Sequence, residues 1–385
     1  MFKERKIYIG DVMAILITIF KFHLRVIYFF LKLLKTDNNK ILFLSRQSNS
    51  KSIDFKLMEK DIKERYKDKK LVILTKTLNK NNFIKYYFHI YKQMYHLATS
   101  KICLVDTYII PVSILKHKKN LKIIYLCHGI GNIKKFGYQT LKNESGKNEK
   151  ISKLMDMHKN YDYIISTSKE TSKFYSKAFD YPISKIIPIG NPKIDYILDI
   201  NNKKEKVLKK YPELKNKKVI LYVSTFRKYE DNYLEKFIEN VDTDKYNVIM
   251  NIHPVTYKYH KNIDRYIKSN KIYRCREFST QELLSVADIV ITDYSSFIFE
   301  SAILEKPTYL FVPDYDRYIK SNGLNVDIFK ELNGYVYKDA KSLFKKIDKN
   351  DYNLNIIKRF KDKYVSNCEG DATKKLVDFI IKEMD

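Results

Sequence analysis

Tryptophan is absent from this 385-residue chain, glycine and proline are scarce (9 and 8), and only four cysteines occur. Each shortage excludes something. So little glycine and proline rules out collagen-like, linker-like and largely disordered chains. Cys103, Cys127, Cys275 and Cys368 are scattered with no C-x-x-C pair, so neither a zinc knuckle nor a disulfide framework is indicated, and a reducing compartment fits. A long hydrophobic run is missing too. The most apolar stretch, residues 12–35, is broken by Lys21, His23 and Arg25, and its longest uninterrupted part, 12–20, falls far short of the ~20 residues that cross a bilayer. Acid is the scarcer charge, at 45 Asp and Glu against 73 Lys and Arg, which leaves a formal charge of +28.

Two readings of that charge stand side by side. It suits anionic partners such as a phosphorylated substrate, an acidic lipid surface or nucleic acid. It also suits the Lys-, Asn-, Ile- and Tyr-heavy usage of an AT-rich genome. Zinc-finger spacing, an RRM signature and an Arg-rich arm are all lacking, so nucleic acid is not expected. Residues 1–36 read as an amphipathic helix lying in a membrane interface, its Lys and Arg toward anionic headgroups and its Ile, Leu and Phe toward acyl chains. A signal peptide would need a small-residue cleavage pattern that is not there. A buried first helix of the globular part is the plainer alternative.

What is present is an α/β alternation. "KILFLSR" (40–46), "KLVILT" (70–75), "KICLVDT" (101–107), "LKIIYLCHG" (121–129), "YDYIISTS" (161–168) and "KIIPIGNP" (185–192) are short apolar runs separated by helical stretches. Such runs suit parallel strands buried on both faces. The charged interval 201–218 interrupts them, and "VILYVSTFR" (219–227), "YNVIMNIHP" (246–254), "KIYRCREF" (271–278), "ADIVITDYSS" (287–296) and "KPTYLFVPDY" (306–315) resume the series. At this length two cores are expected. The expected domains are 37–200 and 201–385, two Rossmann-like halves facing a central cleft, with the last helix free to pack back on the first half.

The chemistry-bearing groups sit at strand ends, where ligands of such sheets bind. In "ADIVITDYSSFIFESAILEKP" a strand runs through Asp293, Ser295 and Ser296 straight into a helix, offering hydroxyls and free N–H groups to a phosphate; plain helix capping is the other reading. Arg227 ends another strand with a fork suited to phosphate, and His253 precedes a proline at a third. His128 stands before Gly129 and Gly131, with Lys134 and Lys135 following. A dinucleotide fingerprint and a Walker P-loop are both absent. Asp242-Thr243-Asp244 and Asp314-Tyr315-Asp316 have the D-x-D form of metal-dependent nucleotide-sugar enzymes, but the first lies in a polar turn and the second also suits a loop-orienting role.

Taken in order, "HGIGNIKKFG", "IGNPKID", "STFR", "NIHP" and "ITDYSSFIFESAILEKPTYLFVPDYDRY" resemble the CDP-glycerol glycerophosphotransferase family of teichoic acid synthesis, the TagB/TagF-like enzymes, over roughly residues 100–320. The resemblance implies a GT-B fold, peripheral attachment to the cytoplasmic face of the cell membrane, and no catalytic metal or other cofactor. It implies transfer of a polyol phosphate, glycerol phosphate foremost, from CDP-glycerol or CDP-ribitol to a hydroxyl of a lipid-linked acceptor, with CMP released. His128 matches the family's first essential histidine, a base on the acceptor side with Gly129 and Lys134 beside it. His253 and Arg227 match donor-phosphate residues, and Asn191, Asp293, Ser295 and Ser296 fall with the donor. Where the family often has Thr-Pro after the histidine and glycine, this chain has Ile130-Gly131-Asn132. A GT-B glycosyltransferase using a nucleotide sugar is the alternative enzyme, and a catalytically silent scaffold of the same fold is a third reading.

Overall fold

Side-chain alternation along the strands decides which layer each residue meets. In β1 (Asp37–Ser45), Ile41 and Phe43 point to one face of the sheet and Leu42 and Leu44 to the other, and all four are fully buried. A strand buried on both sides needs cover on both sides. Three helices supply much of it: α1 (Phe2–Leu31), α2 (Ile53–Arg65) and α3 (Phe83–Thr99). Leu24 and Tyr28 of α1 and Ile90 and Met94 of α3 fill one face, while Phe55 and Met58 of α2 share the other with Leu376 and Val377 of the C-terminal helix Ala372–Lys382. That last helix is clamped to α2 where Arg65 meets Asp378.

The computed structural model describes residues 2–385 except 80–81, 128, 142, 144–145, 147, 226, 228–231, 253–255, 257–259, 261–262 and 270–271, without side chains for 2–11. It divides into two compact units. The first comprises Met1–His128, Phe136–Lys193 and Asp371–Asp385, and the second Gly129–Lys135 and Ile194–Gly370.

In the first unit β1 is joined by β2 (Lys70–Thr75), β3 (Ser100–Val105), β4 (Lys122–Leu126), β5 (Tyr163–Ile165) and β6 (Ile186–Ile187) in the order β2-β1-β3-β4-β5-β6, every pair parallel. The second holds β7 (Lys218–Val223), β8 (Tyr246–Asn251), β9 (Ile289–Thr292), β10 (Thr308–Phe311) and β11 (Val336–Tyr337), ordered β11-β10-β9-β7-β8 and again all parallel. Each sheet therefore starts with a strand flanked by its second and third. The order in which strands are added reverses at β1/β3 and at β7/β9, the points where open α/β sheets bind ligands.

Three sequence expectations are modified. The run 271–278 forms a single bridge, Tyr273 to Ile249, and no strand, because the chain turns into a left-handed conformation at Cys275 (φ 32°). The charged interval 201–218, expected at the boundary, is folded into the second unit: Val207 and Leu214 are buried, and a helix Lys204–Lys210 forms there. Its core reaches back to Ile194, Ile197 and Ile200, all buried, so the units part at 193/194.

α1 is amphipathic in an unusual sense. One stripe packs on the first unit, and there Lys21 donates to the Leu154 carbonyl (2.5 Å) and to Asp156 (2.6 Å). The other stripe exposes Ile15, Ile19, Phe22, Phe29 and Phe30, each 60–69% accessible. α3, which touches α1 through the His23–Tyr91 hydrogen bond (2.9 Å), exposes Phe83, Ile84 and Phe88 as well.

Candidate active site

The carboxyl end of β7 leads into Ser224, Thr225 and Arg227, and that of β9 into Asp293, Tyr294, Ser295 and Ser296. Asp293 is buried and organises both turns. Its two oxygens accept from the Thr225 N–H (3.0 and 2.9 Å), one accepts from the Ser295 N–H (3.1 Å), and the other receives Arg227 Nη1 (2.8 Å). Arg227 spends the rest of its fork on Asp314, which follows β10: Nε donates at 2.6 Å and Nη2 at 3.0 Å. The Tyr294 hydroxyl adds a bond to Asp314 (3.1 Å), and its ring stacks on Tyr318 with centroids 3.7 Å apart.

Two of the expected donor-side residues are engaged with each other. Arg227 is 3% exposed, lies over the Tyr233 ring and pairs its guanidinium with carboxylates, so it braces the strand ends. The physical reason is that two carboxylates projecting from neighbouring strands offer a buried arginine both bidentate and single contacts. Asp293 is likewise a bracket. Ser295 caps the helix Phe297–Ile303 by accepting from the Phe297 N–H (3.3 Å), the plainer of the two readings of that motif.

Uncommitted hydroxyls remain beside the bracket. Ser296 is half-buried and its hydroxyl makes no hydrogen bond among the described residues. The Thr225 hydroxyl and the neighbouring Ser224 hydroxyl are buried and equally without a partner there. A buried hydroxyl left unmatched costs free energy unless something fills the gap.

Residues 129–135, expected on the acceptor side, join the second unit and complete this cluster. Lys134 bridges to Leu324, Lys135 N–H donates to the Gly323 carbonyl (3.1 Å), and Asn325 donates to the carbonyls of Ile133 (2.6 Å) and Lys134 (2.9 Å). Held this way, the half-buried Lys134 amine lies 5.9 Å over the Tyr318 ring with no hydrogen-bonding partner among the described residues. Burial pulls its pKa down to about 8, against the attraction of Asp293 and with the repulsion of Arg227. At the start of the same loop, a side chain on Gly129 would approach the Ser296 hydroxyl (3.9 Å), and one on Gly131 would strike the Phe299 ring at 2.8 Å. Gly131 is thus required by close packing.

Asn191 is not part of this cluster. It lies in the first unit, 3% exposed, where its amide donates to the Cys127 carbonyl (2.9 Å) and its oxygen accepts from the Lys193 N–H (2.9 Å). It steadies the chain leaving β4. His128 and His253 lie outside the described residues.

One group escaped the sequence reading. Asp106 follows β3 as Asp293 follows β9, at the equivalent switch point of the first sheet, but it is 1% exposed and neither carboxylate oxygen has a well-aligned donor among the described residues. Burial drives its pKa up to about 7, moderated by the Ser45 and Thr107 hydroxyls. The parallel endings "CLVD" and "IVITD" were the available signal. The D-x-D pairs are otherwise engaged: Asp314 holds Arg227, Asp316 holds Lys338 (2.9 Å), and Asp242 holds Lys245 (3.3 Å).

Two parallel doubly wound units, one with hydroxyls and an amine at its switch point that lack partners among the described residues, define a fold of the GT-B class. Among solved structures the wall teichoic acid polymerase TagF superposes with a TM-score of 0.71 at 20% identity over 98% of this chain and 97% of that one. The UDP-GlcNAc 2-epimerase of Neisseria meningitidis bound to UDP-GlcNAc gives 0.57 at 12% identity over 89% and 100%. Residues 26–382 match the family described as CDP-Glycerol:Poly(glycerophosphate) glycerophosphotransferase, and the chain belongs to that family. It is similar to the teichoic acid ribitol-phosphate primase of Bacillus spizizenii, 27% identical over 366 residues, spanning 90% of this chain and 92% of the relative. The teichoic acid glycerol-phosphate primase of Bacillus subtilis is 27% identical over 383 residues, spanning 95% and 98%. With the teichoic acid poly(ribitol-phosphate) polymerase of Bacillus spizizenii identity is 30% over 362 residues, 91% of this chain but 57% of the relative.

Proposed function

We propose that this protein transfers a polyol phosphate from CDP-glycerol or CDP-ribitol to a hydroxyl of a lipid-linked acceptor in the synthesis of a teichoic acid or related surface polymer. The observation that carries the reading is the group of unpartnered donors, Ser296, Thr225 and Lys134, assembled around the Asp293 bracket in a member of this family. Those groups suit a pyrophosphate. Hydroxyls accept its orientation and the ammonium offsets its charge, so chemistry of this kind becomes mainly positioning and neutralisation.

The step is a displacement at phosphorus. The acceptor oxygen forms a bond to the polyol-bearing phosphorus of the donor, the bond from that phosphorus to the CMP oxygen breaks, and CMP leaves with the electron pair. His128, by its match to the family's histidine, takes the acceptor proton, and a histidine near its ordinary pKa of ~6.5 suits that task. His253 steadies the departing phosphate. No resident metal or other cofactor enters this account, and turnover in excess EDTA checks that part.

Attachment to the cytoplasmic face of the membrane falls to the exposed apolar stripe of α1, with Phe83, Ile84 and Phe88 of α3 adding to it. A span is the wrong geometry for α1, since Lys21, Leu24 and Tyr28 in its middle are packed into the first unit.

The deciding experiment is nucleotide release with a short lipid-linked acceptor, comparing wild type with His128→Ala and His253→Ala. CMP release that needs acceptor and drops by about 10²-fold or more in both variants is expected. UDP or GDP release from a sugar nucleotide, with none from either CDP-polyol, would establish the glycosyltransferase reading instead.

A further inference from the structure

A pocket of about 780 Å³ opens beside the C-terminal half of α1, and none of the described residues assigned to the reaction lines it. Arg25 and Phe29 come from the helix and Lys32 from the turn that follows it, Lys116 from the segment before β4, and Lys159 and Asn160 from the segment before β5. All belong to the first unit. The pocket's one acid, Asp156, is already bound by Lys21 at 2.6 Å and stands 4.0 Å from Arg25. Among the described residues Lys32 and Lys116 pair with no carboxylate, and Lys159 approaches only Asp180, at 3.6 Å. Cationic charge is therefore left unspent around an open cavity.

The wall is built, not incidental. The Asn160 amide donates to the carbonyls of Val112 (3.0 Å), Ser113 (3.0 Å) and Leu115 (2.9 Å), and Arg25 Nε donates to the Ile114 carbonyl (3.3 Å). These bonds fix the turn that carries Lys116 against both α1 and Lys159. The Ser113 hydroxyl beneath is buried, with no well-aligned hydrogen-bond partner among the described residues. Asp156, His158 and Asn160 hold φ of 46°, 61° and 71°, a conformation costly to side-chain-bearing residues. On the outer side Phe29 belongs equally to the pocket and to the exposed apolar stripe with Phe22, Val26, Phe30 and Leu33.

A cationic pocket whose rim continues into an exposed apolar helix matches one kind of ligand, a molecule with a phosphate at one end and acyl chains at the other. We propose that the pocket seats the phosphate-bearing headgroup of an anionic phospholipid, with Lys32, Lys116 and Lys159 as its cations, while Phe29, Phe30 and Leu33 enter the acyl region. The proposal rests on the membrane reading above and adds lipid selectivity to it: the apolar stripe serves any bilayer, the pocket an anionic one.

The test is sedimentation of the full chain with vesicles of phosphatidylcholine alone or mixed with phosphatidylglycerol, at fixed ionic strength. Four proteins are compared: wild type, K32A/K116A/K159A, a control K341A/K345A/K349A that removes equal charge from the second unit, and F22E/F30E. Wild type should prefer phosphatidylglycerol; the pocket variant should lose on the order of 10²-fold of that preference while keeping its binding to phosphatidylcholine. The control should keep both, and F22E/F30E should lose both. A pocket variant that retains the preference, or a control that loses as much, overturns the pocket while sparing the membrane reading. Wild type that binds neither vesicle overturns the membrane reading and the pocket with it. Release of wild type from phosphatidylglycerol vesicles by inorganic pyrophosphate at unchanged ionic strength would mark a site for free phosphates and overturn the headgroup assignment.

Discussion

Arg227 Nη1 lies 2.8 Å from Asp293 while its Nε lies 2.6 Å from Asp314, so one buried side chain ties the turn after β9 to the turn after β10. Asp293 in turn holds the Thr225 and Ser295 amides. Three strand ends are locked by this charge network, and the donors left over are those that a ligand can use.

Removing Arg227 strands two buried carboxylates. Arg227→Ala should cost about 3–5 kcal/mol in urea unfolding, and Arg227→Lys, which cannot reproduce the fork, a large part of that. Unchanged stability with donor binding lost would instead make Arg227 a ligand contact.

The adjacent serines should separate by readout. Ser295→Ala removes the bond to the Phe297 N–H and should lower stability by about 1 kcal/mol. Ser296→Ala breaks no bond to a described residue, so its melting temperature should stay while the KM for the CDP-polyol rises, about tenfold for one lost hydrogen bond to a charged group.

Lys134 supplies a pH signature. Its folded pKa of about 8 lies below its ordinary value, so the amine is charged below pH 8 and neutral above it. Donor affinity should accordingly weaken as pH rises through that value. Lys134→Arg should flatten the alkaline limb, and Lys134→Met should weaken binding at all pH and abolish the limb.

Asp106 predicts the opposite of ordinary acid stabilisation. Its folded pKa of about 7 exceeds its unfolded value, so the native state holds the extra proton and stability from this group falls as pH climbs from about 4 to 7. Asp106→Asn should therefore raise stability at pH 7 and above, by about 4 kcal/mol at most, and change nothing below pH 4. Thermal melts across that range decide it.

Gly131→Ala would place a methyl 2.8 Å from the buried Phe299 ring. The expected cost is about 1–3 kcal/mol, with loss of activity as residues 129–135 shift. Reversal by a smaller residue at 299, such as Phe299→Leu, would locate the clash.

Much of this was legible in advance. Apolar runs such as "KILFLS" and "DIVIT" announce strands buried on both faces, and Ser295 and Ser296 stand at the end of β9 where their motif puts them. What the sequence could not show is how charges pair once buried. Arg227 and Asp293 look like ligand groups in a linear string, and only folding reveals that they neutralise each other together with Asp314. The allegiance of residues 129–135 was equally hidden, because backbone bonds from Lys135 to Gly323 and from Asn325 to Ile133 span about 190 positions. The short bridge at Tyr273 failed as a strand through one left-handed residue, Cys275, which carries no sequence mark.

The most direct test of the central claim is acceptor-dependent CMP release from CDP-glycerol and from CDP-ribitol, measured over donor concentration for wild type, Ser296→Ala and Lys134→Met. The account predicts turnover with one of these donors and a donor kcat/KM lowered at least about tenfold in each variant, with both proteins still folded. Full turnover in both variants would contradict it, placing the donor pyrophosphate somewhere other than the turn after β9.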